Sequence, residues 1–178
     1  MRLIDFVYYL NSVPARFKGV QFSKGSRIGP SYDFRQVNMT NIQLMQDVQI
    51  GRRAWIQTIS SDSGRIVVGK GTSIGRDCVI SSAIGIEIGE YCVFSYRVSV
   101  IDHDHLFQIG HPPHPFLVEN EDPISIGPRT FIGSNSTILK GAKIGSDCII
   151  GASSVVVGDI PDRCVAAGVP ARVVRCRS

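Results

Sequence analysis

Aliphatic residues recur through the C-terminal part of the chain at an interval of six: Ile126, Ile132, Ile138, Ile144, Ile150 and Val156. Glycine follows at Gly127, Gly133, Gly145 and Gly151. A small or modest residue stands four places after the aliphatic, at Thr130, Ser136, Ala142, Cys148 and Ser154. The same unit appears upstream at Ile50-Gly51, Val68-Gly69, Ile74-Gly75 and Ile88-Gly89, with Ala54, Thr72, Cys78 and Cys92 in the fifth place. Fainter traces at Ile28-Gly29, Ile42 and Leu44 put its start near residue 20.

A period of six fits neither a helix nor a long strand, whose side chains repeat every ~3.6 and ~2 residues. It predicts a short strand and a turn, repeated. The first aliphatic of each unit points inward, and the glycine lets the backbone bend where a side chain would obstruct. Three units close one triangular coil, and coils stack at the strand spacing of about 4.8 Å. One coil cannot bury its own apolar face, so the stack makes the core. Cys78, Cys92 and Cys148 occupy the small fifth position and are expected as interior fillers. Nothing beside them in sequence would activate a thiolate. The phase slips by two residues between Ile80 and Ile88, which predicts a small insertion around Ser82 to Glu87. A larger break follows the unit at Val100: the chain leaves the stack and returns near Ile124 or Ile126.

Composition agrees. The 178 residues hold 22 Ile and 19 Val against 6 Leu, a balance that favours strands over helices. The length suits one domain. Lys plus Arg is 19 and Asp plus Glu is 15, an excess too mild to argue for nucleic acid. No apolar run approaches the ~18 residues of a membrane span. The segment Leu3 to Leu10 is short, contains Asp5 and lacks a cleavage pattern, so the expected location is cytoplasmic. The cysteines are five, with no C-x-x-C pair of the metal-binding type.

The strongest chemical signal is the placing of histidine. All four, His103, His105, His111 and His114, lie within or beside the excursion Leu106 to Pro123. Long departures from a rigid scaffold are where function concentrates. A neutral imidazole is well matched to general-base work near neutral pH.

The repeats, the ending Ile150-Gly-Ala-Ser-Ser-Val-Val-Val-Gly-Asp-Ile-Pro and the segment Ala166-Ala-Gly-Val-Pro-Ala-Arg-Val-Val-Arg175 resemble the hexapeptide-repeat acyltransferases. Within them the nearest look is to O-acetyltransferases of sugars and cell-surface polysaccharides, with galactoside and maltose acetyltransferases as relatives. The resemblance implies an all-β, left-handed parallel β-helix, a homotrimer, and acetyl-CoA held between two subunits as co-substrate, with no metal. On this reading residues 1–19 are a cap segment, 20–165 the β-helix with a protruding loop 106–123, and 166–178 a tail on the CoA side. The stretch Leu3 to Phe17 reads as a short amphipathic helix, broken by Pro14, that caps the open stack or else touches a membrane surface.

The segment Ile101-Asp-His-Asp-His105 is similar to the D-H-x-H stretch of polysaccharide O-acetyltransferases. Counting from Ile88-Gly89 places His105 where relatives carry the catalytic base, with His103 as the competing choice. Alternation puts both imidazoles on one side, and Asp102 and Asp104 are the candidate partners. The resemblance assigns Ser134 and Ala152 to the pantetheine channel and Arg172 and Arg175 to the CoA phosphates. Val157-Gly158 departs from the usual Thr-Lys, so Lys140, Lys143 or Arg163 is expected to substitute for one contact. Trp55, Phe94 and Tyr96 are candidates to stack on an acceptor sugar. Three other readings stand beside this one. They are a metal enzyme of the γ-carbonic-anhydrase type using the four histidines, a β-helix that has lost its chemistry, and an N-acetyltransferase of an amino sugar.

Overall fold

The computed structural model describes Val7 and residues 19–30, 41–59, 63–112 and 117–177. The expected N-terminal cap therefore lies outside the described residues apart from Val7 and Gly19, and so does His114. The chain begins its stack with β1 (Gln21–Phe22) and β2 (Arg27–Ile28). Complete coils follow: β3 (Ile42–Leu44), β4 (Gln49–Ile50) and β5 (Trp55–Thr58); then β6 (Ile66–Val68), β7 (Ser73–Ile74) and β8 (Val79–Ser82); then β9 (Ile86–Ile88), β10 (Val93–Phe94) and β11 (Ser99–Ile101). A hairpin of β12 (Asp104–His105) and β13 (Val118–Glu119) interrupts. Two more coils follow, β14 (Ile124–Ile126), β15 (Phe131–Ile132) and β16 (Thr137–Leu139), then β17 (Lys143–Ile144), β18 (Ile149–Ile150) and β19 (Val155–Val156). The chain closes with β20 (Cys164–Gly168) and β21 (Ala171–Cys176).

Corresponding strands of successive coils pair in parallel and form the three walls of a β-solenoid, in the orders β1-β3-β6-β9-β14-β17, β2-β4-β7-β10-β15-β18-β20-β21 and β5-β8-β11-β16-β19. Only β21 departs, running antiparallel to β20. The expected coils of three short strands are thus the fold observed. Each first-position aliphatic, from Ile28 to Val156, is buried in one continuous core.

The sequence pattern has a physical cause at two of its positions. A Cβ added to Gly133 would stand 2.5 Å from the Ala152 nitrogen of the next coil, closer than real atoms approach, so the turn has no room for a side chain. The fifth position is more than a filler. Thr72 Oγ1 donates to the Gly89 carbonyl at 2.8 Å, Thr130 Oγ1 to Gly145 at 2.9 Å and Ser136 Oγ to Gly151 at 2.9 Å. Cys78, Cys92 and Cys148 do the same with their thiols, to Ser95, Gly127 and Pro161. Each satisfies a carbonyl that the sheet ladder leaves out. Burial pushes the Cys78 thiol up to about 11 and raises Cys92 and Cys148 likewise, which is wrong for a nucleophile.

Two features differ from the sequence reading. Cys164 and Cys176 face each other across β20 and β21 and form a disulfide that pins the last strand, so the odd cysteine count concealed one pair. The expected tail is part of that hairpin from Ala166 to Cys176, turning at a cis Val169–Pro170 bond. Among the described residues no helix is long and apolar enough to cross a membrane.

Candidate active site

The excursion leaves the solenoid at the corner between its third and first walls. There β11 ends at Ile101, and Asp102 and His103 follow before the β12–β13 hairpin begins. Asp102 is fully buried, and five donors surround its carboxylate. Oδ1 accepts from the Ala83 amide at 2.7 Å and from His103 Nδ1 at 2.9 Å. Oδ2 accepts from Ser82 Oγ at 2.7 Å and from the amides of Gly85 at 2.8 Å and Ile84 at 3.1 Å. Burial alone would raise this carboxyl, but the hydrogen bonds from His103, Ala83, Ser82 and Gly85 outweigh it and hold it below the usual carboxylate range. Asp102 is therefore an anion at neutral pH, a carboxylate can only accept, and the proton between it and His103 sits on Nδ1.

The cradle Ser82 to Gly85 falls in the two-residue insertion that the phase slip announced. A regular coil offers its amides to the coil below. The extra length turns three successive amides onto one side chain, an anion-binding nest. The sequence signal was present, but nothing in it said what the insertion holds.

His103 and His105 end up close but unlike. Their rings meet edge to face with centroids 5.5 Å apart. The His103 side chain is 1% exposed, whereas His105 stands in the open on β12. The two rings lie side by side and differ in exposure, because β11 ends before Asp102 and His103 tucks in behind the strand end while His105 sits on β12. Asp104 points the other way from its neighbour Asp102 in environment as well. It is exposed and paired with Lys140 of the next coil, which holds its carboxyl below the usual range. Lys140 thus belongs to this corner. His111 is exposed in the turn beyond β12. Among the described residues no three His, Cys, Asp or Glu side chains group as metal ligands.

Two of the residues assigned to the cofactor, Ser134 and Ala152, lie on another corner, between the second and third walls. Ser134 and Ala152 stack there in successive coils, joined by a hydrogen bond from the Ser153 amide to the Ser134 carbonyl at 2.8 Å. The column continues to Gly168, whose amide donates to Ser154 Oγ at 3.1 Å, and the chain then turns to Arg172. Arg172 lines a cavity of 360 Å³ together with Val157, Gly158 and Ala171. The departure at Val157-Gly158 and the basic residue of the ending therefore meet in one place. Lys140, Lys143 and Arg163 are not in that lining. Arg175 stands apart, exposed on β21 opposite Val165. Of the aromatic candidates, Trp55 and Tyr96 are exposed, but Phe94 takes a first position and is core.

A family model described as bacterial transferase hexapeptide (six repeats) matches residues 123–158. A probable acetyltransferase of Mycobacterium tuberculosis is 34% identical over 138 residues, 75% of this chain and 45% of the relative. The galactoside O-acetyltransferase of Escherichia coli is 34% identical over 132 residues, 71% of this chain and 62% of that protein. The chain thus spans about half the length of the curated relatives it matches. Among solved structures, a maltose O-acetyltransferase from Clostridium difficile superposes with a TM-score of 0.63 at 21% identity, covering 100% of this chain and 90% of that one. An N-acyltransferase variant from Bacillus cereus, in complex with dTDP and coenzyme A, gives 0.68 at 21% identity, covering 90% and 83%.

Proposed function

We propose, from the premise that this chain belongs to the hexapeptide-repeat acetyltransferase family, that it transfers an acetyl group from acetyl-CoA to a hydroxyl of a sugar or cell-surface polysaccharide precursor. The observation that carries the reading is the contrast at the histidine corner: an open His105 ring against a buried His103 tied to an ionised Asp102.

His105 is the general base. Of the two imidazoles only its ring is open to a substrate. It takes the acceptor hydroxyl's proton as the oxygen attacks the thioester carbonyl carbon. The tetrahedral intermediate collapses, the carbon–sulfur bond breaks, and the proton passes from His105 to the departing CoA sulfur. Asp102 and His103 are positioning residues. His103 fixes the edge against which His105 packs, and the Asp102 carboxylate holds the His103 ring in place from behind.

Ser134 and Ala152 are small because the pantetheine arm lies against backbone there. Arg172 and the cavity beside it receive the nucleotide end, with Arg175 on the same terminal strand. Within one chain the two corners stand apart. His103 lies six positions after Arg97, up to about 20 Å of extended chain. A homotrimer in which the histidine corner of one copy meets the cofactor corner of the next brings them together, giving three sites between subunits.

The test is His105→Ala. Turnover of acetyl-CoA falls by about 10²–10⁴-fold, the usual contribution of a general base, while calorimetric affinity for acetyl-CoA holds. Unchanged turnover would overturn the assignment and point to His103.

A further inference from the structure

The cofactor corner does not begin at Ser134. It runs the length of the solenoid as one hydrogen-bonded column. The Asp77 amide donates to the Arg52 carbonyl at 3.1 Å, Arg97 to Arg76 at 3.0 Å, Asn135 to Tyr96 at 3.1 Å and Ser153 to Ser134 at 2.8 Å. The column changes character midway. Its C-terminal coils carry Ser134, Asn135, Ala152 and Ser153, and its N-terminal coils carry Arg52, Arg53, Arg76, Tyr96 and Arg97. The two halves join at Ser95 and Ser134, whose hydroxyls lie 2.6 Å apart.

Among the described residues the basic half is under-neutralised. Asp77 is the one carboxylate among the described residues of this corner. Arg53 holds it in a two-pronged pair at 2.6 and 2.9 Å. Arg76 reaches it only at 3.9 Å and lies instead over the Tyr96 ring, 5.6 Å from its centroid. Arg52 and Arg97 are exposed and have no ion pair among the described residues. Tyr96 presents an exposed ring at the same corner, and Trp55 presents another where β5 leaves it two coils away. Guanidiniums beside aromatic faces suit a ligand with both a sugar face and an anionic group, since the ring stacks on C–H surface and the fork grips carboxylate or phosphate.

Resting on the proposed function, in which the cofactor lies along Ser134 and Ala152 with its nucleotide at Arg172, the acetyl end points up the column toward these arginines. We infer that the acceptor is anionic, and that Arg52, Arg76 and Arg97 bind a carboxylate or phosphate carried by the sugar, while Tyr96 and Trp55 hold its ring. Specificity of this kind is electrostatic and falls with salt.

The test uses the full chain, acetyl-CoA and three acceptors that share a ring: glucose, glucuronic acid and glucose 1-phosphate. Release of free thiol gives kcat/KM. One charged sugar outruns glucose by about tenfold or more at low salt, and the advantage shrinks as salt rises. Which charged sugar leads distinguishes carboxylate from phosphate. In Arg76→Ala/Arg97→Ala the charged-to-neutral ratio collapses toward one through KM, Arg97→Lys restores part of it, and calorimetric affinity for acetyl-CoA is unchanged. Failure of both charged sugars to outrun glucose overturns the inference. So does a double variant that lowers all acceptors alike, one that loses affinity for acetyl-CoA (the arginines then serve the cofactor), or one that changes the mass by light scattering (they then serve the subunit interface). A wild-type chain that binds no acetyl-CoA overturns the functional reading beneath it instead.

Discussion

Position 102 tolerates a carboxylate wholly removed from water because five donors converge on its two oxygens. An isosteric amide cannot do the same. Asn offers one acceptor oxygen, so Asp102→Asn strands either the two donors now at Oδ1 or the three at Oδ2. Each buried donor left unmet costs about 1–3 kcal/mol, so we expect a loss of at least about 2 kcal/mol in urea unfolding. A loss near zero would mean that water enters the cradle. The pH dependence follows from the sign of the shift. The folded pKa lies below the unfolded value of about 3.9, so the stabilisation is complete above that value and is lost as pH falls through the folded one. Wild type should shed this increment on acidification below about pH 4, and Asp102→Asn, having none to lose, should show a flatter profile. The sequence marks Asp102 and Asp104 equally, as acids beside a histidine. What separates them, a nest against an exposed pairing with Lys140, is contributed by coils about 18 and 36 residues away, beyond the reach of any local pattern.

The insertion between β8 and β9 belongs to the next scale. Its effect on the period was legible at once, because Ile80 and Ile88 break an otherwise fixed spacing. The repeat itself is legible for the same reason: Gly51, Gly69, Gly127 and Gly133 meet the same steric rule in successive coils, and Thr72, Thr130 and Ser136 meet the same carbonyl. A purpose for the insertion was not legible, since a slip in phase says only that something is wedged in. The structure supplies it, and deletion tests it. Removing Ile84 and Gly85 restores the period of six and takes two amides from Asp102. The solenoid should survive, with its far-ultraviolet dichroism kept and acetyl-CoA still bound, while kcat drops about 10²-fold from a misplaced histidine pair. Full activity in a folded deletion variant would reduce the insertion to a packing accident. The loop beyond was read in part: the departure was placed near Val100, but the β12–β13 pairing, which puts His105 on a strand, has no periodic signal because each strand is two residues long.

At the scale of the whole molecule the proposed base and the proposed cofactor residues pose a question of distance. On the proposed function the base, His105, lies on one corner of a rigid prism and the groove of Ser134 and Ala152 on another, and packed coils do not bend to bring corners together. The proposed homotrimer, a heterologous ring-closing assembly, meets this because each copy then contributes one corner to each of two sites. Subunit mixing gives a quantitative test. A trimer of His105→Ala has intact grooves and no base, and a trimer of Ala152→Trp has bases and blocked grooves, so each alone is inactive. In a random equal mixture an interface is productive only when the groove comes from the first variant and the histidine from the second. That happens at one interface in four, so about a quarter of wild-type turnover should return. Sites contained within single chains would return nothing, however thoroughly the subunits had exchanged, and mass measurement of the mixed trimers tells that result apart from a failure to exchange.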